Sequence, residues 1–110
     1  MLIYEVNIAV DADVFDEYLL WMGSHIQEML KIEGFEQAAM FQAEDDDKSG
    51  KRVKLSVHYG VKDDKSLQRY FKQDAARMRA DGVGRFGNKF QASRRILKQK
   101  GVFRNELSKS

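Results

Sequence analysis

The chain has 110 residues, of which 43% are hydrophobic and 33% are charged, and it contains no cysteine. This length and composition are typical of one globular domain, and the lack of cysteine excludes disulfides, thiolate nucleophiles, zinc–thiolate sites and iron–sulfur clusters. The net charge of +2 hides an asymmetry, because residues 1–50 contain two basic and twelve acidic side chains, whereas residues 51–110 contain seventeen basic and five acidic ones.

The sequence predicts a protein without a membrane partner. No apolar run approaches the ~18 residues that a membrane-spanning helix needs. The first residues lack the basic segment and the long apolar run of a signal peptide. We therefore expect a cytoplasmic location.

The first two predicted elements are a strand and a helix. Apolar residues occupy every second position over residues 2–10, which predicts a strand with one buried face. Over residues 15–30 apolar side chains recur every three or four positions, which predicts an amphipathic helix. Asp11 or Asp13 is expected to cap its N-terminus, and the helix is expected to end near Gly34.

Two more strands, a second helix and a last strand complete the predicted order. Residues 35–43 and 52–61 are predicted to form a hairpin around a polar turn at residues 44–50. A helix is predicted over residues 64–80, with Asp63 or Ser66 as its cap. A loop containing Gly82, Gly84 and Gly87 is expected to end this helix, and the final strand is predicted over residues 90–97.

The order β-α-β-β-α-β predicts an α+β, ferredoxin-like fold, in which two helices cover one face of a four-stranded antiparallel sheet. Residues 1–98 would form this single domain, and residues 99–110 a basic C-terminal tail. The other sheet face is expected to be bare and of mixed polarity, which favours a homodimer that packs sheet on sheet. Its expected members are Ile3, Glu5, Asn7, Lys54, Ser56 and His58, with either Phe90, Ala92 and Arg94 or Gln91, Ser93 and Arg95 from the last strand.

Several short strings resemble a known family. They are Ile3-Tyr4-Glu5-Val6, Trp21-Met22, His25-Ile26, Arg85-Phe86-Gly87 and Ala92-Ser93-Arg94-Arg95. Over about residues 2–98 the chain resembles a bacterial family of short uncharacterised proteins, a domain of unknown function with the dimeric α/β barrel fold. Proteins of that wider fold include monooxygenases of the antibiotic-biosynthesis type and small isomerases. The resemblance implies the fold and a dimer, and it implies no catalytic residue.

The first helix carries one candidate site. Trp21 and His25 are one helical turn apart, and Tyr18 precedes Trp21 by three residues, so the three side chains share a face. Such a cluster could orient an aromatic ligand, with His25 as a catalytic proton acceptor near neutral pH. The alternative is that these side chains cover the edge of the core or contact a second subunit.

A second candidate site lies on the bare sheet face. His58 is a candidate catalytic residue there, and Glu5, Asn7 and an arginine of the last strand would surround it as ligand-binding residues. Arg94 and Arg95 are adjacent on a strand, so they must point to opposite faces. Glu5 is the expected partner of one, and the arginine without a carboxylate partner is the candidate for binding an anion. The alternative for His58 is a hydrogen-bonded interface residue.

Other motifs are set aside. Residues 82–87 fit the pattern G-x-G-x-x-G, but dinucleotide binding requires this string to follow a strand and open a helix, which the predicted order does not allow. Two histidines on separate elements do not predict a metal site, and no cofactor is predicted. The bare-face positions where an RNA-binding sheet carries stacking aromatics are predicted to hold Glu5, Asn7, Ser56 and His58, which argues against nucleic acid as a partner.

The sequence thus predicts a cytoplasmic protein that forms a homodimer and has a pocket for a small aromatic or anionic molecule. Its predicted lining is Trp21, His25, His58 and Arg94 or Arg95. Two alternatives stay open: a cofactor-free enzyme, either monooxygenase-like or isomerase-like, with a histidine base, and a structural or partner-binding dimer without a ligand. The charge asymmetry is interpreted as complementarity between the acidic sheet edge of one subunit and the basic edge of the other.

Overall fold

The computed structural model describes residues 1–44 and 49–108. It contains four strands and three α-helices in the order expected for a ferredoxin-like fold. They are β1 (Leu2–Asp11), α1 (Phe15–Met29), β2 (Phe35–Gln42), β3 (Arg52–Val61), α2 (Asp64–Gln73), α3 (Ala75–Phe86) and β4 (Phe90–Lys98). Part of the predicted turn, residues 45–48, lies outside the described residues.

The four strands form one antiparallel sheet in the order β2-β3-β1-β4. This arrangement confirms the predicted α+β, ferredoxin-like fold. Tyr4 of β1 lies opposite Tyr59 of β3 and Ile96 of β4, so the alternate residues of these three strands that share its face point toward the helices. The core between this face and the helices includes Tyr4, Ile8, Val57, Tyr59, Tyr18, Met22, Leu67, Tyr70 and Met78.

The register of β4 decides between the two predicted sets for the bare face. Arg94 lies opposite Val6, on the side of the sheet that the helices cover, whereas Arg95 lies opposite Glu5. The bare face therefore contains Gln91, Ser93 and Arg95. We call this surface the open face; its members on β2 are Gln37, Ala39 and Phe41.

The second helical region differs from the prediction. It consists of two helices, α2 and α3, which are separated at Asp74. The expected glycine loop is wrong, because Gly82 and Gly84 lie inside α3, and only Gly87, with a φ of +57°, ends it. Packing explains this difference, since Met78, Gly82 and Phe86 are buried along one face of α3. That burial outweighs the cost of about 1 kcal/mol that a glycine brings to a helix.

The predicted N-caps are correct for one helix and wrong for the other. The Asp63 side chain accepts a hydrogen bond of 2.8 Å from the backbone N–H of Ser66, as a cap of α2 should. Neither Asp11 nor Asp13 caps α1, because a 3₁₀ turn at Ala12–Val14 intervenes. These two carboxylates instead lie 3.4 Å from basic groups, Asp11 from Arg52 and Asp13 from Lys89.

The first helix also ends earlier than expected. Its last residue is Met29, and short-range backbone hydrogen bonds carry the chain through Ile32 to Gly34. Gly34 adopts a φ of +91°, and a Cβ at this position would lie 2.3 Å from the Cβ of Ser66. Within the described residues, no helix is long and apolar enough to cross a membrane.

Candidate functional site

A cavity of about 310 Å³ lies between the sheet and the three helices. One wall comes from the covered face of β1, β3 and β4 and includes the apolar side chains of Val6, Ile8, Val57 and Ala92. This volume is at the lower end of the range typical of small-molecule sites. The aromatic and basic side chains that line it include Tyr18, Trp21, His25, Tyr59, Tyr70 and Arg94.

The helix α1 places three aromatic side chains along the cavity. Tyr18 and Trp21 have ring centroids 5.5 Å apart, and the rings of Trp21 and His25 stack at 4.6 Å with an interplanar angle of 22°. The indole Nε1 of Trp21 donates a 3.0 Å hydrogen bond to Asp81 of α3. Because Gly82 has no side chain, the indole can pack directly against α3. The ring of Trp21 is thus held by His25 of its own helix and by Asp81 of α3.

His25 is the titratable side chain of this cluster. Desolvation by burial lowers its pKa, and the nearby carboxylate of Asp81 only partly opposes this effect. The imidazole is therefore neutral at pH 7 and has a free ring-nitrogen lone pair available as a proton acceptor. Its nitrogens form no hydrogen bond within residues 1–44 and 49–108. This arrangement is compatible with general-base chemistry.

Arg94 brings a positive charge to the same cavity. Burial raises the pKa of Tyr18, Tyr59 and Tyr70, and the charge of Arg94 opposes the rise at each of them. These phenols therefore stay protonated at neutral pH. Arg94 has no carboxylate partner in the part of the chain that the structure describes. Its guanidinium and the phenolic O–H groups are hydrogen-bond donors at this cavity.

Arg79 of α3 is a cavity residue that the sequence analysis missed. Its Nη2 donates a 3.1 Å hydrogen bond to the hydroxyl of Tyr4, and this contact raises the pKa of the guanidinium. Arg79 is one of many basic residues in the second half of the chain. In the sequence, only its position one residue after Met78 hints at a place near the core. An arginine exposed to solvent could occupy the same position.

The other predicted site is a hydrogen-bonded network on the open face. Glu5 is only 5% exposed; it pairs with Arg95 and accepts a 2.9 Å hydrogen bond from Asn7. Nε2 of His58 lies 3.1 Å from Oε1 of Glu5 and 3.1 Å from the hydroxyl of Ser56. The hydroxyl of Ser56 also donates to Asn7 at 2.8 Å. Hydrogen bonds from Arg95 and Asn7 hold the pKa of Glu5 below its usual value.

The predicted site residues therefore separate into two groups on opposite faces of the sheet. Trp21, His25 and Arg94 line the cavity, whereas His58 and Arg95 lie on the open face. The expectation that His58 would line the same pocket as Trp21 is wrong, because alternate residues of β3 point to opposite sides. Among the described residues, no group of three histidine and carboxylate side chains has the geometry to hold a metal ion.

Solved structures share this fold. A candidate antibiotic biosynthesis monooxygenase from Deinococcus radiodurans is 7% identical, with a TM-score of 0.72, and the match covers 96% of this chain and 98% of that one. One from Nitrosomonas europaea is 14% identical, with a TM-score of 0.67 over 92% and 100% of the two chains. SnoaB, a cofactor-independent oxygenase from Streptomyces nogalater, is 9% identical, with a TM-score of 0.63 over 94% and 98%.

At these identities the likeness concerns the fold alone. No curated protein matches the sequence. A family model does match: DUF4286, a domain of unknown function, covers residues 1–100. This match includes every strand and α-helix of the fold and all the residues of both candidate sites. The chain therefore belongs to the DUF4286 family.

Proposed function

We propose that this protein binds a small aromatic molecule in the cavity between its sheet and its helices. The observation that carries the proposal is a cavity of about 310 Å³ that combines an apolar wall with aromatic rings and an arginine, Arg94, that has no carboxylate partner among residues 1–44 and 49–108. Enclosed, largely apolar spaces with a few converging polar groups are the usual form of ligand sites. Trp21 and Tyr18 would stack against an aromatic ring, since offset and edge-to-face contacts favour such pairs.

The fluorescence of Trp21 tests this proposal, because it is the single tryptophan of the chain and it lines the cavity. Bicyclic aromatics such as 2-naphthol should change its emission in a saturable way. Ala92→Leu, which adds side-chain volume to the cavity wall, should weaken the binding. Ala76→Leu makes the same change at an exposed position of α3 and should leave the binding unchanged. Equal weakening by both variants, or no saturable change, would contradict the proposal.

We also propose that two copies associate through their open faces in the cytoplasm. Two observations support this assembly. Phe41 is 51% exposed on the open face, and the Glu5 network places a nearly buried carboxylate there without any covering helix. The edge strand β2 contains the acidic Glu36, and the edge strand β4 contains the basic Arg95 and Lys98. These strands lie at opposite ends of the sheet, so a two-fold axis can bring the acidic residue of one copy to the basic residues of the other.

Sedimentation at micromolar concentration tests the assembly. A dimer that weakens as salt is added is expected, because salt screens the attraction between the two edges. Phe41→Lys should shift the protein toward the monomer, whereas Leu20→Lys, at an exposed position of α1, should not. A monomeric wild-type protein would refute the dimer. Fractionation of cells tests the proposed cytoplasmic location of the protein.

A second candidate function is a cofactor-independent oxygenase, which the neutral imidazole of His25 in the cavity favours. His25 would remove a proton from an activated CH₂ group of a phenolic substrate. The resulting carbanion would reduce O₂, so that the CH₂ group becomes a carbonyl and the second oxygen atom leaves as water. Both hydrogens of the CH₂ group end in that water, one of them delivered by the imidazolium of His25, which returns to its neutral form.

Oxygen uptake on a panel that includes phenols with an activated CH₂ group, together with quinols and lactones, distinguishes this candidate from simple binding. His25→Ala should abolish uptake without preventing the fluorescence change of Trp21. His58→Ala is the matched control, because His58 lies on the other side of the sheet. Absence of uptake by the wild-type protein on all substrates would argue against the oxygenase and would leave the binding function in place.

A further inference from the structure

The cavity contains a second arginine, and the two arginines have a feature in common. Arg94 of β4 and Arg79 of α3 both line the cavity, and neither forms an ion pair with a carboxylate within the described residues. The other arginines of the two elements differ from them. Arg77 pairs with Asp74 at 3.1 Å, Arg95 pairs with Glu5, and Arg85 does not line this cavity.

The carboxylate of Asp81 does not neutralise the two arginines. Asp81 of α3 acts on the pKa of His25, so it lies near the cavity. It already accepts the hydrogen bond from Trp21, and it does not line the cavity wall. Glu5 lies on the opposite side of the sheet from Arg94. Two positive charges therefore face one cavity that no carboxylate of residues 1–44 and 49–108 lines.

Tyr4 and Tyr70 bring two phenol groups to the same cavity. Tyr4 holds Arg79 by accepting its hydrogen bond, and the Tyr4 and Tyr70 rings lie 5.7 Å apart. Burial keeps the phenol of Tyr70 protonated, so it offers an O–H rather than a negative oxygen. Such a set of donors is complementary to negatively charged oxygens. A guanidinium can bind the two oxygens of a carboxylate with two parallel hydrogen bonds.

We propose that Arg79 and Arg94 together bind the anionic group of the ligand, and that this ligand is a planar aromatic carboxylate. The inference rests on the proposed binding function and narrows its ligand class. The aromatic part would lie against the ring of Tyr18 and the apolar wall, and the carboxylate would face the two guanidiniums. Both arginines are solvent-exposed side chains, as expected for residues at a cavity mouth.

The test compares two probes of equal shape and different charge, 2-naphthoate and 2-naphthamide, by calorimetry and by the emission of Trp21. The carboxylate should bind about tenfold or more tightly than the amide, because hydrogen bonds to a charged acceptor are stronger. Added salt should reduce this preference. Arg79→Gln and Arg94→Gln should each reduce the affinity for 2-naphthoate and leave that for 2-naphthamide nearly unchanged. Arg85→Gln removes the same charge from α3 outside the cavity and serves as the control.

The outcomes distinguish a failure of this inference from a failure of the proposed binding function on which it rests. Equal binding of both probes by the wild-type protein refutes the anionic ligand and leaves the cavity as a binding site, and this comparison needs no variant to fold. An effect of Arg94→Gln alone, with Arg79→Gln folded by circular dichroism, refutes the shared role. Binding of neither probe refutes the proposed function together with the inference.

Discussion

The glycines of α3 allow a sharp test of how Trp21 packs. A Cβ added at Gly82 would lie 3.0 Å from Cη2 of Trp21 and 3.4 Å from Cζ of Phe90, whereas a Cβ added at Gly84 would meet no atom within 4 Å. Both residues lie in α3, so alanine should contribute up to about 1 kcal/mol of helix stability at each position. At Gly82 this gain is opposed by crowding, which typically costs about 1–3 kcal/mol in a packed interior.

The indole of Trp21 has little room to move. It stacks on His25, contacts Phe86 at a centroid distance of 5.7 Å and donates its N–H to Asp81. We therefore expect Gly84→Ala to raise the free energy of unfolding by about 0.5–1 kcal/mol. Gly82→Ala should lower it by about 1 kcal/mol, since the crowding exceeds the helix gain.

Urea unfolding followed by far-ultraviolet circular dichroism measures the difference, because this signal does not depend on Trp21. The Trp21→Phe background removes the ring atom that the new Cβ would crowd. In that background Gly82→Ala should recover most of the helix gain. Equal stabilisation by Gly82→Ala and Gly84→Ala in the wild-type protein would refute this account of the packing.

Two further predictions concern α2 and the open face. Asp63→Ala should destabilise the protein by about 1 kcal/mol, because the backbone N–H of Ser66 loses its cap, and Asp63→Asn should retain most of the stability in the same urea titration. Glu5 has a lowered pKa when folded, so its stabilisation is present above pH 4.5 and is lost as the pH falls through its folded pKa. The difference in unfolding free energy between the wild-type protein and Glu5→Gln should therefore shrink as the pH falls below 4.5; a difference that does not change over this acidic range would contradict this origin.

The strands could be predicted because alternation is a direct consequence of burying one face of each strand. The sheet order followed from the β-α-β-β-α-β order, which allows few topologies. The end of α3 could not be predicted, because the signal that glycine gives on its own is a helix stop. Gly82 is needed where it is because Trp21, distant in sequence, packs against it. The same limit applies to Arg79, whose contact with Tyr4 spans 75 residues. Local patterns carry no information about such contacts until the topology is known.

Because β4 carries two adjacent arginines, this edge strand could form an ion pair with β1 in more than one register during folding. A slip of β4 by one residue would place Arg94 beside Glu5 and turn Arg95 toward the helices. Glu5 would face an arginine in either alignment, so its ion pair would scarcely favour one over the other. Phe90 does distinguish them, since its ring packs 5.3 Å from that of Tyr18 in the native register. The hydrophobic anchor at the start of the strand, and not its charges, therefore selects which arginine faces the cavity.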